Sequence, residues 1–270
     1  MRTVAHLSDL HFGRSDPAVA EALLVSLKEN RPDLVIVSGD LTQRARQSEF
    51  AEARKFLDNI SARKLVIPGN HDVPLYDFIG RMLSPFKHYE RHIAPIGPVS
   101  SFFADDEIAA LALNTARRLT RKNGRVSWDQ MEEIRRVFNT RPEHCFRILA
   151  THHPLGEPRG GLGLELVHRS RPAQTAIAES GVDIMLSGHH HRASSGAITI
   201  GKDAEHSILI AHAGTAISTR TRGGETNTYN LIRIEPDQVD VVIMTAATGT
   251  EFERSRVSSY LRQARVWQPV

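Results

Sequence analysis

Cysteine is nearly absent. Cys145 stands alone in 270 residues, so no intrachain disulfide can form, and a reducing, cytoplasmic setting is the expectation. Long hydrophobic runs are missing too, and the opening MRTVAHLSDL lacks the apolar stretch of a secretory signal, so neither a membrane span nor an export leader is expected. Charge of one sign is not concentrated anywhere. The net charge is +3 and Lys/Arg are scattered among Asp/Glu, which suits a small anionic ligand but gives no basic stripe for a stable nucleic-acid partner. Internal repeats, low-complexity stretches and flexible linkers are also lacking. One domain over 1–250 with a tail at 251–270 is therefore expected, at an ordinary globular composition of 40% apolar and 24% charged residues.

Histidine is what the chain has in excess. There are fourteen, several in pairs or triplets beside Gly, Asn or Pro, where metal ligands are worth seeking. Their setting is an alternation of strands and helices. TVAHLS, DLVIVSGD and KLVIPGNHD read as buried strands, while PAVAEALLVSLKEN and RQSEFAEARKFLDNI read as helices between them. This order predicts an α/β fold with a parallel sheet. Residues 73–98 read as a lid-like insertion. IAALALN, FRILATHHP and VDIMLSGHHH are further strands, separated by helices at SWDQMEEIRRVF and RPAQTAIAES. From Gly196 onward only short strands follow, predicting an antiparallel sheet packed on the first. The tail reads as a helix or an arm whose Trp267 needs a contact, and it leaves open a homodimer formed with the aromatic insertion.

Five predicted strand ends carry one kind of signature: Asp9-Leu10-His11, Gly39-Asp40, Gly69-Asn70-His71-Asp72, His152-His153-Pro154 and Gly188-His189-His190-His191. Asp9 and His11, two positions apart, would share a face if the first strand ran through them. The carboxyl ends of parallel strands converge on one edge, so these groups should meet. Oxygen and imidazole ligands without thiolate suit Mn, Fe or Zn. There are more of them than one ion takes, which points to two divalent metal ions sharing a carboxylate.

The ordered set D-x-H, G-D, G-N-H-D, H-H-P, G-H-x-H resembles the calcineurin-like metallophosphoesterases, and SDLHFG with GNHD is most similar to their class III cyclic nucleotide phosphodiesterase branch. The resemblance implies a four-layer αββα sandwich of two mixed β-sheets flanked by helices. It further implies Asp9, His11 and His191 on a first metal, Asn70, His152 and His189 on a second, and Asp40 bridging them. Two such ions, about 3.5–4 Å apart, activate a bridging water for in-line attack on a phosphodiester. His71 is then expected to stabilise the transition state and protonate the leaving oxygen, with Asp72 orienting it or a ligand. A cyclic nucleotide leads as substrate. Glycerophosphodiesters, lipid headgroups and nucleic acids are alternatives with the same chemistry, and a non-catalytic scaffold is a further one. His153 and His190 read as neighbours of ligands, and His6 as no ligand. His212, Arg14, Asn114 and Arg117 stand at strand ends or loops from which a substrate could be reached, and the glycines near 160 read as a loop beside the site.

Overall fold

The structure, a computed structural model, describes residues 1–94, 100–120, 122–158, 163–200, 207–221, 224–264 and 266–270. Strands β1 (Arg2–Leu7), β2 (Leu34–Val37) and β3 (Arg63–Val66) lie parallel, connected by α1 (Pro17–Asn30) and α2 (Gln47–Asp58). Pro17 pre-sets the first turn of α1, and the Asp16 carboxylate accepts the backbone N–H of Ala18 at 2.9 Å. The insertion forms two short helices, α3 (Phe78–Leu83) and α4 (Lys87–His92), and its last part, 95–98, lies outside the described residues. Tyr89 fastens it by donating to the Val66 carbonyl at 2.7 Å.

A second sheet follows, built from β4 (Ser101–Ala104), β5 (Ile108–Leu113), β6 (Phe146–Thr151), β7 (Ile184–Ser187), β8 (Ser194–Thr199) and β9 (Ser207–His212), in the order β4-β5-β6-β7-β9-β8. Helices α5 (Trp128–Phe138) and α6 (Ser170–Glu179) cover its outer face. The chain then returns to the first sheet as β10 (Thr228–Ile234), β11 (Gln238–Thr245), β12 (Glu253–Gln263) and β13 (Val266–Pro269), giving the order β13-β12-β11-β10-β1-β2-β3.

Alternation along the strands creates three apolar layers. Ala5, Leu7, Val35 and Val37 face α1 and α2, while Val4, Leu34 and Ile36 face the other sheet. On β5, Ala110 and Ala112 point between the sheets and Leu111 and Leu113 point at α5. The central strands of both sheets are thus buried on both faces, and the expected αββα sandwich of two mixed sheets is what these residues build.

Three expectations need correction. The strands after Gly196 do not form a sheet of their own: β8 and β9 extend the second sheet, β9 running parallel to β7, and β10 to β13 extend the first. The tail is neither helix nor arm but a hairpin, β12 pairing antiparallel with β13. Trp267 is 3% exposed, set edge-on to Phe146 at 6.0 Å between the sheets, so it has no surface left for a dimer. Filling the inter-sheet core satisfies its apolar ring, and its backbone N–H donates to Ser207 Oγ at 2.6 Å. Trp267→Ala is expected to lower unfolding stability by about 3–5 kcal/mol. Denaturant unfolding at wild-type midpoint would show instead that the hairpin is not part of the core.

Candidate metal centre

β1 ends at Leu7, so Asp9 and His11 are not strand residues and do not meet by alternation. They meet because the backbone turns left-handed at both, with φ of 54° and 49°. Asp40, His189 and His191 share that conformation at 52°, 73° and 60°. Side chains rarely adopt it, and Asp and His are among the few that do; its concentration at one edge marks strain held for a purpose. The glycines of the motifs let these loops cross. A Cβ on Gly188 would lie 1.8 Å from Ser8 Oγ, and one on Gly69 would lie 2.2 Å from Asp40 Oδ1. The sequence pattern G-D, G-N and G-H therefore records close backbone approach as well as ligands.

All seven predicted ligands are brought together. Asp9, His11 and His191 form one buried group, with His191 Nε2 at 3.4 Å and His11 Nε2 at 3.6 Å from Asp9 Oδ1. His152 Nε2 lies 3.1 Å from Asn70 Oδ1, and the His189 ring is 5.2 Å from the His152 ring. Asp40 stands between the halves: Oδ2 is 3.8 Å from His11 Nε2 and Oδ1 is 3.4 Å from His152 Nε2. The far ring nitrogens are held by oxygens. His152 Nδ1–H donates to the Ser38 carbonyl at 2.8 Å and His11 Nδ1–H faces the Thr42 carbonyl at 3.3 Å, which turns each Nε2 inward. His191 Nδ1 is hydrogen bonded to Thr215 Oγ1 at 2.7 Å.

The charges are strongly coupled. Burial opposes ionisation of Asp9, but attraction to the His191 and His11 imidazoles, 3.4 and 3.6 Å from Oδ1, outweighs that and holds the carboxyl well below the usual range. Asp40 is likewise held low against burial by His152 and His71. Burial disfavours the His152 cation too, yet attraction to Asp40 raises its pKa to about 9. Even so, Asp9 Oδ1 and His11 Nε2 face each other without a hydrogen bond while fully buried. Orphaned buried polar atoms of this kind are costly, and a divalent cation fits the carboxylate, amide and imidazole donor set.

The neighbours sort by their hydrogen bonds. His153 is packed beside His152 and His189, close enough to be grouped with them as a ligand. Both its nitrogens are engaged, however: Nε2–H donates to the Lys122 carbonyl at 2.9 Å, and Nδ1 pairs with Thr115 Oγ1 at 2.7 Å. His190 Nε2 is at the Glu165 carbonyl, 3.4 Å away. Asp72 touches neither His71 nor a ligand side chain. Its carboxylate accepts the backbone N–H of Leu41, Thr42 and Gly69 at 3.0, 2.8 and 2.9 Å, tying the Asp40 loop to the Asn70 loop. His212, reaching Ser187 Oγ at 2.6 Å, belongs to a buried polar layer with His6 and Asn230. Arg14 is exposed, and Asn114 and Arg117 hold the start of α5 through Gln130, so none of these three lines the pocket. Gly160 and Gly161 lie outside the described residues.

The pocket over the centre, about 460 Å³, is lined by Asp40, Asn70, His71, His189 and His191 together with Val73, Leu75 and Tyr76 of the insertion. His71 Nδ1 donates to the Gln43 carbonyl at 2.8 Å, its backbone N–H donates to Asp40 Oδ1 at 2.8 Å, and its Nε2 meets Arg220 NH1 at 3.2 Å, both residues lining the pocket. Thr215 and Arg220, which the sequence reading missed, also reach the site; their loop follows a sixth strand end, in AHAGTAISTR, where only His212 stood out.

A sequence profile described as Calcineurin-like phosphoesterase matches residues 2–193. The chain belongs to that family. A protein of Synechococcus sp. named "Probable cyclic nucleotide phosphodiesterase" is 25% identical over 214 residues, 71% of this chain and 74% of its own. Glycerophosphodiester phosphodiesterase GpdQ of Enterobacter lignolyticus is 41% identical over 81 residues, 26% of this chain and 29% of its own. The fold matches purple acid phosphatase PPD1 of yellow lupin at a TM-score of 0.70 with 13% identity, over 98% of this chain and 54% of the lupin one. Vps29 of Chaetomium thermophilum matches at 0.50 with 12% identity, over 97% and 100%. This chain is thus a metallophosphoesterase by family, with buried His/Asp groups able to hold metal.

His152→Ala is expected to lose a large part of manganese uptake, and His153→Ala to keep it, as read by metal analysis after dialysis. Ligands must be deprotonated, and His152 with its raised pKa is protonated at pH 7 without metal. Uptake at pH 7 should therefore release protons, and affinity should fall as pH drops. Calorimetry in buffers of different ionisation enthalpy reads this directly; a buffer-independent heat would contradict the assigned protonation.

Proposed function

We propose that this chain is a metal-dependent phosphodiesterase, with a cyclic nucleotide as its leading substrate. The observation that carries the reading is a buried carboxylate, Asp40, aimed with one oxygen at each half of a seven-residue donor set. Asp9, His11, His191 and Asp40 would hold one divalent ion, and Asn70, His152, His189 and Asp40 the other. Ions bound there supply positive charge for a phosphoryl oxygen and lower the pKa of water. His71 faces the substrate space through Nε2, and its role is at the leaving oxygen. Its ring is kept in place by the Gln43 carbonyl, not by Asp72.

Diester over monoester is supported by the two curated relatives, whose names both specify phosphodiesterases. The pocket wall agrees: Leu75 and Tyr76 give an apolar side against which the organic part of a diester can rest, and Arg44 lies over the Tyr76 ring at 5.5 Å. Glycerophosphodiesters remain the second reading, favoured by the higher local identity to GpdQ.

The deciding experiment is kcat/KM of the manganese-loaded protein on 3′,5′-cyclic AMP, 2′,3′-cyclic AMP, glycerophosphocholine and bis(p-nitrophenyl) phosphate. Efficient turnover of a cyclic nucleotide is the expected result. Preference for glycerophosphocholine would select the second reading, and no turnover of any diester would defeat both. His71→Ala should cut kcat by about 10²-fold or more with metal content unchanged. If it loses metal as His152→Ala does, His71 is a ligand rather than a proton carrier.

A further inference from the structure

Four cationic side chains line the pocket: Arg44, Arg81, Lys122 and Arg220. Three have occupations. Arg81 is buried and donates to the carbonyls of Pro74, Arg118 and Thr120 at 2.8, 2.7 and 2.6 Å, which binds the insertion to the second sheet. Lys122 Nζ is 3.2 Å from the Glu165 carboxylate. Arg44 stacks on Tyr76. Arg220 is different. Among the described residues no carboxylate lies within ion-pair distance of its guanidinium, whose one hydrogen bond there runs from NH1 to His71 Nε2 at 3.2 Å.

That contact uses only one of the guanidinium's five donors. The Gln43 carbonyl can only accept, so His71 carries its proton on Nδ1, and a guanidinium can only donate, so Nε2 is a bare lone pair. A guanidinium that meets one ring nitrogen has a single uncharged acceptor atom, where a phosphoryl group would offer charged oxygens in bidentate geometry. Arg220 also covers the one atom through which His71 can reach a substrate. Both groups can serve a reaction together only if the substrate brings Arg220 a better acceptor.

The placement of Arg220 is built, not incidental. Its loop is stitched to the first metal loop: Ala216 N–H donates to the Ser8 carbonyl at 3.1 Å, Thr219 N–H to the Arg14 carbonyl at 2.8 Å and Ser218 Oγ to the same carbonyl at 3.1 Å, while within the loop Arg220 N–H donates to Ser218 Oγ at 3.0 Å. The same loop carries Thr215 to His191.

We propose that Arg220 is a substrate-binding residue that grips a non-bridging phosphoryl oxygen, exchanging His71 Nε2 for the anion when substrate enters. The inference rests on the phosphoesterase reading of the pocket. It is tested on the manganese-loaded protein with Arg220→Gln, Arg220→Ala and Arg220→Lys, by metal analysis, by calorimetric titration with inorganic phosphate, and by kcat and KM on bis(p-nitrophenyl) phosphate. Metal content should stay at the wild-type level in all three. Phosphate affinity should fall about tenfold or more in the Gln and Ala variants, with KM raised and part of the affinity restored in the Lys variant. Unchanged phosphate affinity, a wild type that binds no phosphate, or loss of metal in Arg220→Gln would each overturn the proposal. Failure of the phosphodiesterase reading is separable: a wild type that binds phosphate through Arg220 yet hydrolyses no ester defeats the reading and leaves the anion grip standing.

Discussion

Asp40 is the group on which the site depends. It is 1% exposed and ionised, touching an imidazole from each half of the cluster and the backbone of His71. A buried carboxylate survives only with charge and hydrogen bonds around it, and here they come from loops after three other strands, β1, β3 and β6. Removing the charge would leave His152 buried without its nearest carboxylate and His11 with Asp9 alone. Removing the histidines would leave the carboxylate desolvated. Each loop is therefore held by the electrostatics of the others, and Asp72, accepting backbone N–H groups from both flanking loops, fixes the spacing.

That arrangement explains where strain sits. Five of the nine non-glycine residues with positive φ among the described residues are candidate ligands. An isolated loop would relax out of this conformation, at a gain of order 1–3 kcal/mol per residue. It persists because the crossing glycines leave no room for another path and because Asp9, His11, Asp40 and His191 are held by polar side-chain contacts and His189 by its backbone N–H on Asp9. Bound cations would add to that hold by satisfying Asp9 Oδ1 and His11 Nε2, the atoms the protein itself leaves without a partner.

Much of this was legible in the sequence, for physical reasons that also mark its limit. Helix α1 runs from Pro17 to Asn30 as expected with Pro17 in its first turn, and the ends bearing G-D and G-N-H-D converge because parallel strands of one sheet end on one edge, while G-H-x-H reaches them from the second sheet. What failed was choice of partner. β8 to β13 are alternating strands that fit either sheet, and nothing local tells β9 to run parallel to β7 or β13 to bring Trp267 between the sheets. The face-sharing argument for Asp9 and His11 reached the right pair through the wrong geometry, since periodicity cannot see a left-handed turn. Arg220 and Thr215 carry no local signal at all; their roles arise from contacts with residues 149 and 24 positions away.

The two sheets meet at the site as two half-sites. Asp9, His11, Asp40 and Asn70 follow strands of the first sheet, and His152, His189 and His191 follow strands of the second. Cross-sheet hydrogen bonds already join them, from His189 N–H to Asp9 Oδ2 at 3.0 Å and from His152 Nδ1 to the Ser38 carbonyl at 2.8 Å. Directly beneath lies a buried polar layer in which Asn230 of β10 donates to the His212 carbonyl of β9 at 3.0 Å, while His6 pairs with Ser38 Oγ at 2.9 Å. Polar groups placed in an apolar interface accept only one register, whereas apolar neighbours such as Val4 and Ile36 tolerate several. The layer thus fixes the sliding position of one sheet on the other, and with it the separation of the half-sites. Ligand geometry in this protein is a property of the inter-sheet core as much as of the loops that carry the ligands.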